Sequence, residues 1–411
     1  MAAAFLLLCL TFARKSHGGE DWFQFRGPDG QGHSSATGLP THWSTTENVR
    51  WKQTIPGRGW SSPVCLGNQI FLTSAVPVDS SHALHAISLD ASTGKIIWDT
   101  VVFERLVPTR AQMHSKNSYA SPTPVVEGER VYVHFGTQGS ACLSLNGKLI
   151  WKTRELVYQP NHGSGGSPVL VDGLLIVSCD GADLQFVAAL DADTGKLHWK
   201  KDRPPCEEPK RFAFGTSLVI EVKGQKQVVS PGAHMVVAYD PRTGDDLWSV
   251  RYDGYSVVPR PVFGNGLIYL STSFDFAQLL AIRTDGHGDV TDSHVAWKQS
   301  RSIPNTPSPL LVDENLYLIN DAGIASCLDV KTGHPRWTHR IGGKFSASPL
   351  HVEGCIYVVS EGGETTVFRA TPEHYEEIAR NKLDEQALAS PAVVGHALLL
   401  RTATKLYRLG N

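Results

Sequence analysis

The sequence predicts an all-β fold: a single eight-bladed β-propeller of four-stranded antiparallel blades, closed by an N-terminal strand that completes the last blade. Three observations predict it. A short phrase leading to Trp recurs along the chain, a second phrase opens each unit, and the two chain ends hold complementary parts of one unit. Self-similarity at a regular spacing marks a repeat architecture, and a closed ring accommodates a long chain as one domain.

The recurring phrase is Leu89-Asp90-Ala91-Ser92-Thr93-Gly94-Lys95 leading to Trp98. It returns at 190–196 with Trp199, at 239–244 with Trp248 and at 328–333 with Trp337. A shortened form, Leu145-Asn146-Gly147-Lys148, leads to Trp151. The physics is that of a hairpin: Asp caps the turn through its side chain, and Gly takes the positive φ that the turn needs. The Trp then lies on the outgoing strand, where it can pack between neighbouring blades.

The opening phrase is Ser62-Pro63, Thr123-Pro124, Ser167-Pro168, Arg260-Pro261, Ser308-Pro309, Ser348-Pro349 and Ser390-Pro391, with Ser217-Leu218 as its variant. Pro is tolerated at the first residue of a strand, where no ladder donor is required. Between the phrases lie apolar runs such as Val131–Phe135, Leu267–Leu270 and Ile356–Val359, which read as strands covered on both faces. Each unit is thus strand A from the Pro, strand B through the apolar run, strand C to the Asp and strand D around the Trp. In the seventh unit a segment around Ile378 replaces the Trp strand. The eighth unit stops at Leu409 after three strands, and Val49-Arg50-Trp51-Lys52 supplies the fourth, removing an exposed edge. A seven-bladed ring stays open if one weak unit is an insertion.

With 38 Lys+Arg against 40 Asp+Glu, the charge is near balance, which argues against a nucleic-acid-binding surface. The apolar run Ala2–Phe12 is too short to span a bilayer, and Ser16-His17-Gly18 suits a signal peptidase, although no basic residue precedes the run. The expected organisation is a signal peptide over 1–18, a leader over 19–46 packed on the propeller, and the propeller over 47–411. The product would be periplasmic or extracellular, not membrane-spanning, and monomeric. Leu7-Leu8-Cys9 does not match a lipoprotein signal. The other cysteines (Cys65, Cys142, Cys179, Cys206, Cys327 and Cys355) form no CxxC and no zinc spacing, so mostly buried free thiols are expected.

The Asp-x-x-Thr-Gly-Lys…Trp units resemble the pyrroloquinoline-quinone-like (PQQ-like) β-propeller repeat over roughly residues 47–411. The opening Trp22-Phe23-Gln24-Phe25-Arg26-Gly27-Pro28, with Thr37-Gly38-Leu39-Pro40 and Trp43, resembles the leader of a bacterial exported subgroup of unassigned function. The same repeat is found in quinone-dependent alcohol dehydrogenases and in the scaffold lipoprotein of the outer-membrane β-barrel assembly machinery. The resemblance implies a fold and leaves the function open.

Chemistry is expected at the mouth of the channel, where the D-to-A connections and B-to-C loops share one face. The connections place Arg58, Trp60, His114, Lys116, Asn117, His162, Tyr255, Arg260, Asn305 and Lys344 there, together with Tyr119, Asn161, Phe212, Phe214 and Phe345. This cationic, amide-bearing and aromatic set suits an anion or a glycan. The plainer reading is that these side chains plug the channel and bond to loop carbonyls. His114 and His162, after the insertion Asp99–Gln112, are candidate acid–base or metal-binding residues without a carboxylate or Cys spaced beside them. Asp180, Asp183, Asp275, Asp321, Glu361 and Glu364 on the B-to-C loops could converge on a cation or simply cap turns. The acidic stretch Asp285–Asp292 lacks EF-hand spacing and reads as an elaborated C-to-D hairpin.

The first functional reading is a non-catalytic binding or scaffold propeller with a protein or glycan partner and no cofactor. The second is an oxidoreductase using PQQ and calcium. The resemblance implies for such dehydrogenases a pair of adjacent cysteines and extra covering segments; no two cysteines are adjacent here, and little of this sequence lies beyond the blades. A glycan-processing enzyme is a third reading, for which no paired carboxylates stand out.

Overall fold

Blade 1 shows what each repeat builds. Strands Val64–Leu66, Gln69–Val78, Ser81–Asp90 and Ile96–Phe103 are paired in that order, each antiparallel to the next. In the computed structural model, which describes residues 21–107, 109, 112–275 and 277–410, eight such sheets follow one another along the chain. The inner strands of blades 2 to 7 are Val125–Glu127, Val169–Val171, Leu218–Val222, Val262–Gly264, Leu310–Val312 and Leu350–Val352. Blade 8 has Ala392–Val394, Ala397–Arg401 and Lys405–Leu409, and its outer strand is Val49–Thr54. The register runs from Val49 opposite Leu409 to Thr54 opposite Lys405, so the two chain ends close the ring. The segment 1–18, read as an export signal, lies outside the described residues.

The hairpin phrase does more than turn the chain. Asp90, Asp191 and Asp329 each accept the backbone N–H three residues on, at 2.8, 2.8 and 3.1 Å. The turn Gly has φ +74° at Gly94 and +72° at Gly195, and its missing Cβ leaves room for an indole of the preceding blade. A Cβ on Gly94 would lie 2.6 Å from the Trp51 ring, and one on Gly195 would lie 2.4 Å from Trp151. Each of these Trp residues also donates its indole N–H across the blade boundary. Trp51 reaches the Ala91 carbonyl, Trp98 Leu145, Trp151 Ala192, Trp199 Pro241, Trp297 Val330 and Trp337 Thr371, at 2.8–2.9 Å. Trp248 departs from the rule and bonds Gln227 within its own blade.

Apolar packing follows the same boundaries. Val125, Tyr132 and Trp151 of blade 2 share a cluster with Leu175, Phe186 and Leu190 of blade 3. The cores therefore lie between blades, which is why a single blade could not stand alone.

The opening phrase forms a second ring nearer the axis. The N–H of Ser62 donates to the Thr123 hydroxyl, Thr123 to Ser167, Ser167 to Thr216, Arg260 to Ser308, Ser308 to Ser348, Ser348 to Ser390, and Ser390 back to Ser62, all at 2.9–3.1 Å. In blade 4 the hydroxyl belongs to Thr216. The opener there is Thr216-Ser217, one residue earlier than the Ser217-Leu218 expected from the missing Pro. The ring breaks where Arg260 stands in place of Ser or Thr, between blades 4 and 5, the same boundary at which Trp248 deviates. There, Gly288–Asp289 from the C-to-D connection of blade 5 pairs in parallel with the outer strand of blade 4 and bridges the seam. The acidic stretch is thus an elaborated connection: Asp289 accepts from Thr291 and faces Arg251 at 3.5 Å.

The segment before the ring enters the channel from the far face. Trp22 bridges Cys65 in antiparallel fashion, and the Phe23 carbonyl accepts from Val126. The chain turns through Arg26–Gln31 and returns as His33–Ser34, parallel to Leu350–Val352 of blade 7. The Trp43 N–H then donates to Asn381 before the chain joins blade 8.

Candidate functional site

The D-to-A connections pair with neighbouring backbone on one face. Arg58 bridges Ala75, Tyr255 bridges Phe274 and Phe345 bridges Ser360. These connections surround a cavity of about 300 Å³ on the ring axis. Its base is the hydroxyl ring, and Phe25, raised into the channel by the leader, forms the floor. The channel is therefore a cup, open on the loop face.

One wall is a continuous aromatic series. His114 meets His162 edge-on at 5.6 Å, His162 meets Phe212 at 5.6 Å, and Phe212 meets Tyr255 at 5.3 Å and Phe214 at 5.9 Å. Backbone bonds hold the series in place: Phe214 N–H donates to the Val257 carbonyl at 2.7 Å and Ser256 N–H to the Phe212 carbonyl at 2.8 Å. Tyr255 is fixed from outside by Lys210, whose Nζ is 3.0 Å from its hydroxyl, and Lys210 also reaches Asp275 at 3.2 Å.

The connection that carries His114 also supplies polar groups of the rim. Asn117 Nδ2 and the His114 N–H both donate to the His162 carbonyl, at 3.0 and 3.3 Å. Lys116 Nζ is 2.7 Å from Glu361 of blade 7, tying the rim loop across the mouth. Burial opposes charge on Glu361, but Lys116 and the Ser346 hydroxyl outweigh it and hold the carboxyl below its ordinary range.

Of the residues expected at the mouth, Trp60, His114, Lys116, Asn117, His162 and Tyr255 line the cup. Lys344 lies in an adjoining recess with Ser115, Lys116, Asp321 and Glu361. Arg58 and Asn305 are not among the lining residues; the Asn305 N–H is held by Asp321 at 2.7 Å. Arg260 is 1% exposed and sits below the mouth. Its guanidinium donates to the Ser217 carbonyl at 3.0 Å and the Phe25 carbonyl at 2.6 Å, so it supports the floor of the cup. The insertion after blade 1 is shorter than the sequence suggested, because Asp99–Phe103 belong to the outer strand.

The six B-to-C acids do not converge on one point, although Asp321 and Glu361 share a recess with Lys116 and Lys344. Asp180 pairs with Arg203 in a buried salt bridge, Asp183 caps Gln159, Asp321 caps Asn305 and Thr306, and Glu364 faces Arg380. Among the described residues, no group of three or more His, Cys, Asp or Glu is placed to hold a metal. The six described cysteines are all unpaired. Sequence reasoning missed Phe25, Phe274 and the hydroxyl ring. Ser or Thr ahead of six of the seven opening Pro residues was the available signal for the ring.

Comparison with known proteins gives the family and two functional directions. The family model described as outer membrane protein assembly factor BamB (PQQ_2) matches residues 35–154, 183–341 and 289–407. A quinone alcohol dehydrogenase subunit of Gluconobacter oxydans is 27% identical over 214 residues, covering 49% of this chain and 26% of its own length. The assembly factor BamB of Moranella endobia is 26% identical over 200 residues, covering 43% and 48%. The chain thus spans less than half the length of either. In structure, BamB from Moraxella catarrhalis superposes with a TM-score of 0.65 at 12% identity, covering 88% of this chain and 97% of that one. A europium-containing methanol dehydrogenase gives 0.68 at 11%, covering 95% and 98%. At such identities these structures speak for the fold alone.

The dehydrogenase relatives raise the question of whether the cup suits their quinone. PQQ is a planar tricarboxylate, and an accompanying calcium takes six to eight oxygen ligands. Among the described residues, the cup lining has one Lys, already paired with Glu361, and no Arg, Asp or Glu. No two cysteines are adjacent in the sequence. The residues present do not fit that group. The arrangement can stack a ring against Phe212 or Tyr255 and hydrogen-bond it from Asn117, the histidines and the hydroxyl ring.

Proposed function

The chain belongs to the PQQ-like propeller family described as outer membrane protein assembly factor BamB, and from that premise we propose an exported, non-catalytic binding propeller whose central cup holds a sugar-like ligand. The observation that carries this reading is the composition of the cup: an aromatic wall with an amide and two imidazoles at its end, a ring of hydroxyl groups at the base, and a Phe floor. Rings with one apolar face and a hydroxylated edge match such a surface. An anion is the less suitable occupant, because Arg58 and Arg260 lie away from the cup and Lys116 is met by Glu361. Catalysis by the two histidines lacks support, because no carboxylate among the described lining residues completes an acid–base pair. Export is supported by the apolar run Ala2–Phe12 and by the outer-membrane family description. Among the described residues no helix is long and apolar enough to cross a membrane.

A panel of neutral and sulfated saccharides read by thermal shift tests the reading. A neutral saccharide should raise the melting temperature, and Phe212→Ala or Tyr255→Ala should abolish the rise. A shift confined to sulfated ligands and lost in Lys116→Ala would make the site an anion site instead. A shift that survives all three substitutions would place the ligand outside the cup.

A further inference from the structure

Away from the cup, the leader strand meets blade 7 through two imidazoles. His33 and His351 are direct partners in the parallel pairing of His33–Ser34 with blade 7. The His351 N–H donates to the Gly32 carbonyl at 2.8 Å, which fixes that register. The two Nδ1 atoms lie 3.2 Å apart, and the rings meet edge to face with centroids 5.3 Å apart.

That separation is also the bite of a metal. Imidazole–zinc bonds are about 2.0–2.1 Å, so two of them at a near-tetrahedral angle hold their nitrogens roughly 3.3 Å apart. The surroundings suit a cation. The Leu311 carbonyl accepts from the His33 ring. The two Nδ1 atoms face each other, and which of them carries a proton depends on the tautomer. A carbonyl behind the ring is the usual way in which a ligating imidazole is oriented. Asp29 and Asp313 both favour positive charge at His33, and Asp313 does so at His351; Arg26 opposes it at His33. Both side chains are only half-buried, so water can reach the remaining coordination positions.

We propose that His33 and His351 form a two-imidazole site for a borderline divalent transition metal, of the zinc, nickel or copper class, which staples the leader strand to blade 7. Imidazole suits these ions better than magnesium or calcium. With no third His, Cys, Asp or Glu in place among the described residues, the site is open and its metal exchangeable. Because the leader also carries Phe25, metal occupancy would stiffen the floor of the cup from below.

The test uses tag-free protein and the metals alone. Zinc or nickel chloride should raise the melting temperature in a dose-dependent manner, whereas magnesium and calcium chloride should not. His33→Gln and His351→Gln should each abolish the rise. Where a variant fails to fold, cobalt(II) added to the wild-type chain gives a second readout. Visible absorption bands that disappear on adding zinc support the site, and X-ray absorption should show two imidazole nitrogens. Absence of a shift with zinc and nickel, or an equal shift in both variants, would overturn the proposal and leave an imidazole–imidazole hydrogen bond.

Discussion

Ring closure by the N-terminal strand makes a quantitative prediction at Trp51 and Gly94. Trp51 is half-buried on the closing strand, donates to the Ala91 carbonyl at 2.9 Å and lies over Gly94 of blade 1. Trp51→Ala should therefore cost about 3 kcal/mol, the lower end for a large aromatic truncation. Gly94→Ala meets two obstacles. Its φ of +74° is left-handed, worth about 1–2 kcal/mol against an L-residue, and its Cβ would sit 2.6 Å from the Trp51 ring. The overlap adds roughly 1–3 kcal/mol. In the Trp51→Ala background the overlap disappears and only the backbone cost remains. The double variant should thus be more stable than the sum of the singles by about 1–3 kcal/mol. Urea unfolding followed by circular dichroism measures all four corners of the cycle. Additive costs, or a Trp51→Ala variant within about 0.5 kcal/mol of wild type, would refute the closure argument.

The remaining predictions concern the blade 7–8 junction and the floor of the cup. Burial opposes charge on Glu385, but Lys405 and the hydroxyls of Thr402 and Thr404 overcome it and lower the carboxyl from 4.5 to about 2. A depressed folded value means that its contribution is full above pH 4.5 and is lost as pH falls to about 2. Stability measured against pH should fall less steeply across that window in Glu385→Gln than in the wild type, and identical acid limbs would contradict the assignment. Arg260→Ala leaves the Ser217 and Phe25 carbonyls without their donor and opens a void under the cup. It should cost about 2–4 kcal/mol and speed proteolysis within residues 26–32; unchanged cleavage there would detach Arg260 from the floor.

Blade number and ring closure were legible because each repeat must solve the same local problem. The Asp–Gly hairpin and the Trp that packs on the Gly are fixed by turn geometry and by close approach, so they recur at readable spacing. Val49–Lys52 was readable as the missing strand because the last unit ended one strand short, and the strand runs on to Thr54. The hydroxyl ring was harder to see. A Ser before Pro looks like turn chemistry, and only closure of the ring shows its N–H and hydroxyl serving different neighbours. In blade 4, where Pro is absent, this cost one residue of register at Thr216.

The cup was legible only in part, for a different reason. Trp60, His114, Lys116, Asn117, His162 and Tyr255 could be placed because connections between blades face one end of the channel. Arg260 occupies an opener position, so it was counted with the connections, yet its long side chain reaches the Phe25 carbonyl of the leader. Phe25 itself lies in a segment without repeat character, and nothing local in the sequence says that it enters the channel. Long-range placement of an irregular segment depends on pairings such as Trp22 with Cys65 and His33 with His351, which no periodicity announces.

Titration calorimetry of the chain over residues 19–411 with neutral saccharides, and separately with PQQ plus calcium chloride, tests the central claim most directly. The cup described here predicts heat with a saccharide, its loss in Tyr255→Ala, and none with the quinone and calcium. Saturable binding of the quinone with calcium, together with no response to any saccharide, would contradict the account and return the protein to the chemistry of its dehydrogenase relatives.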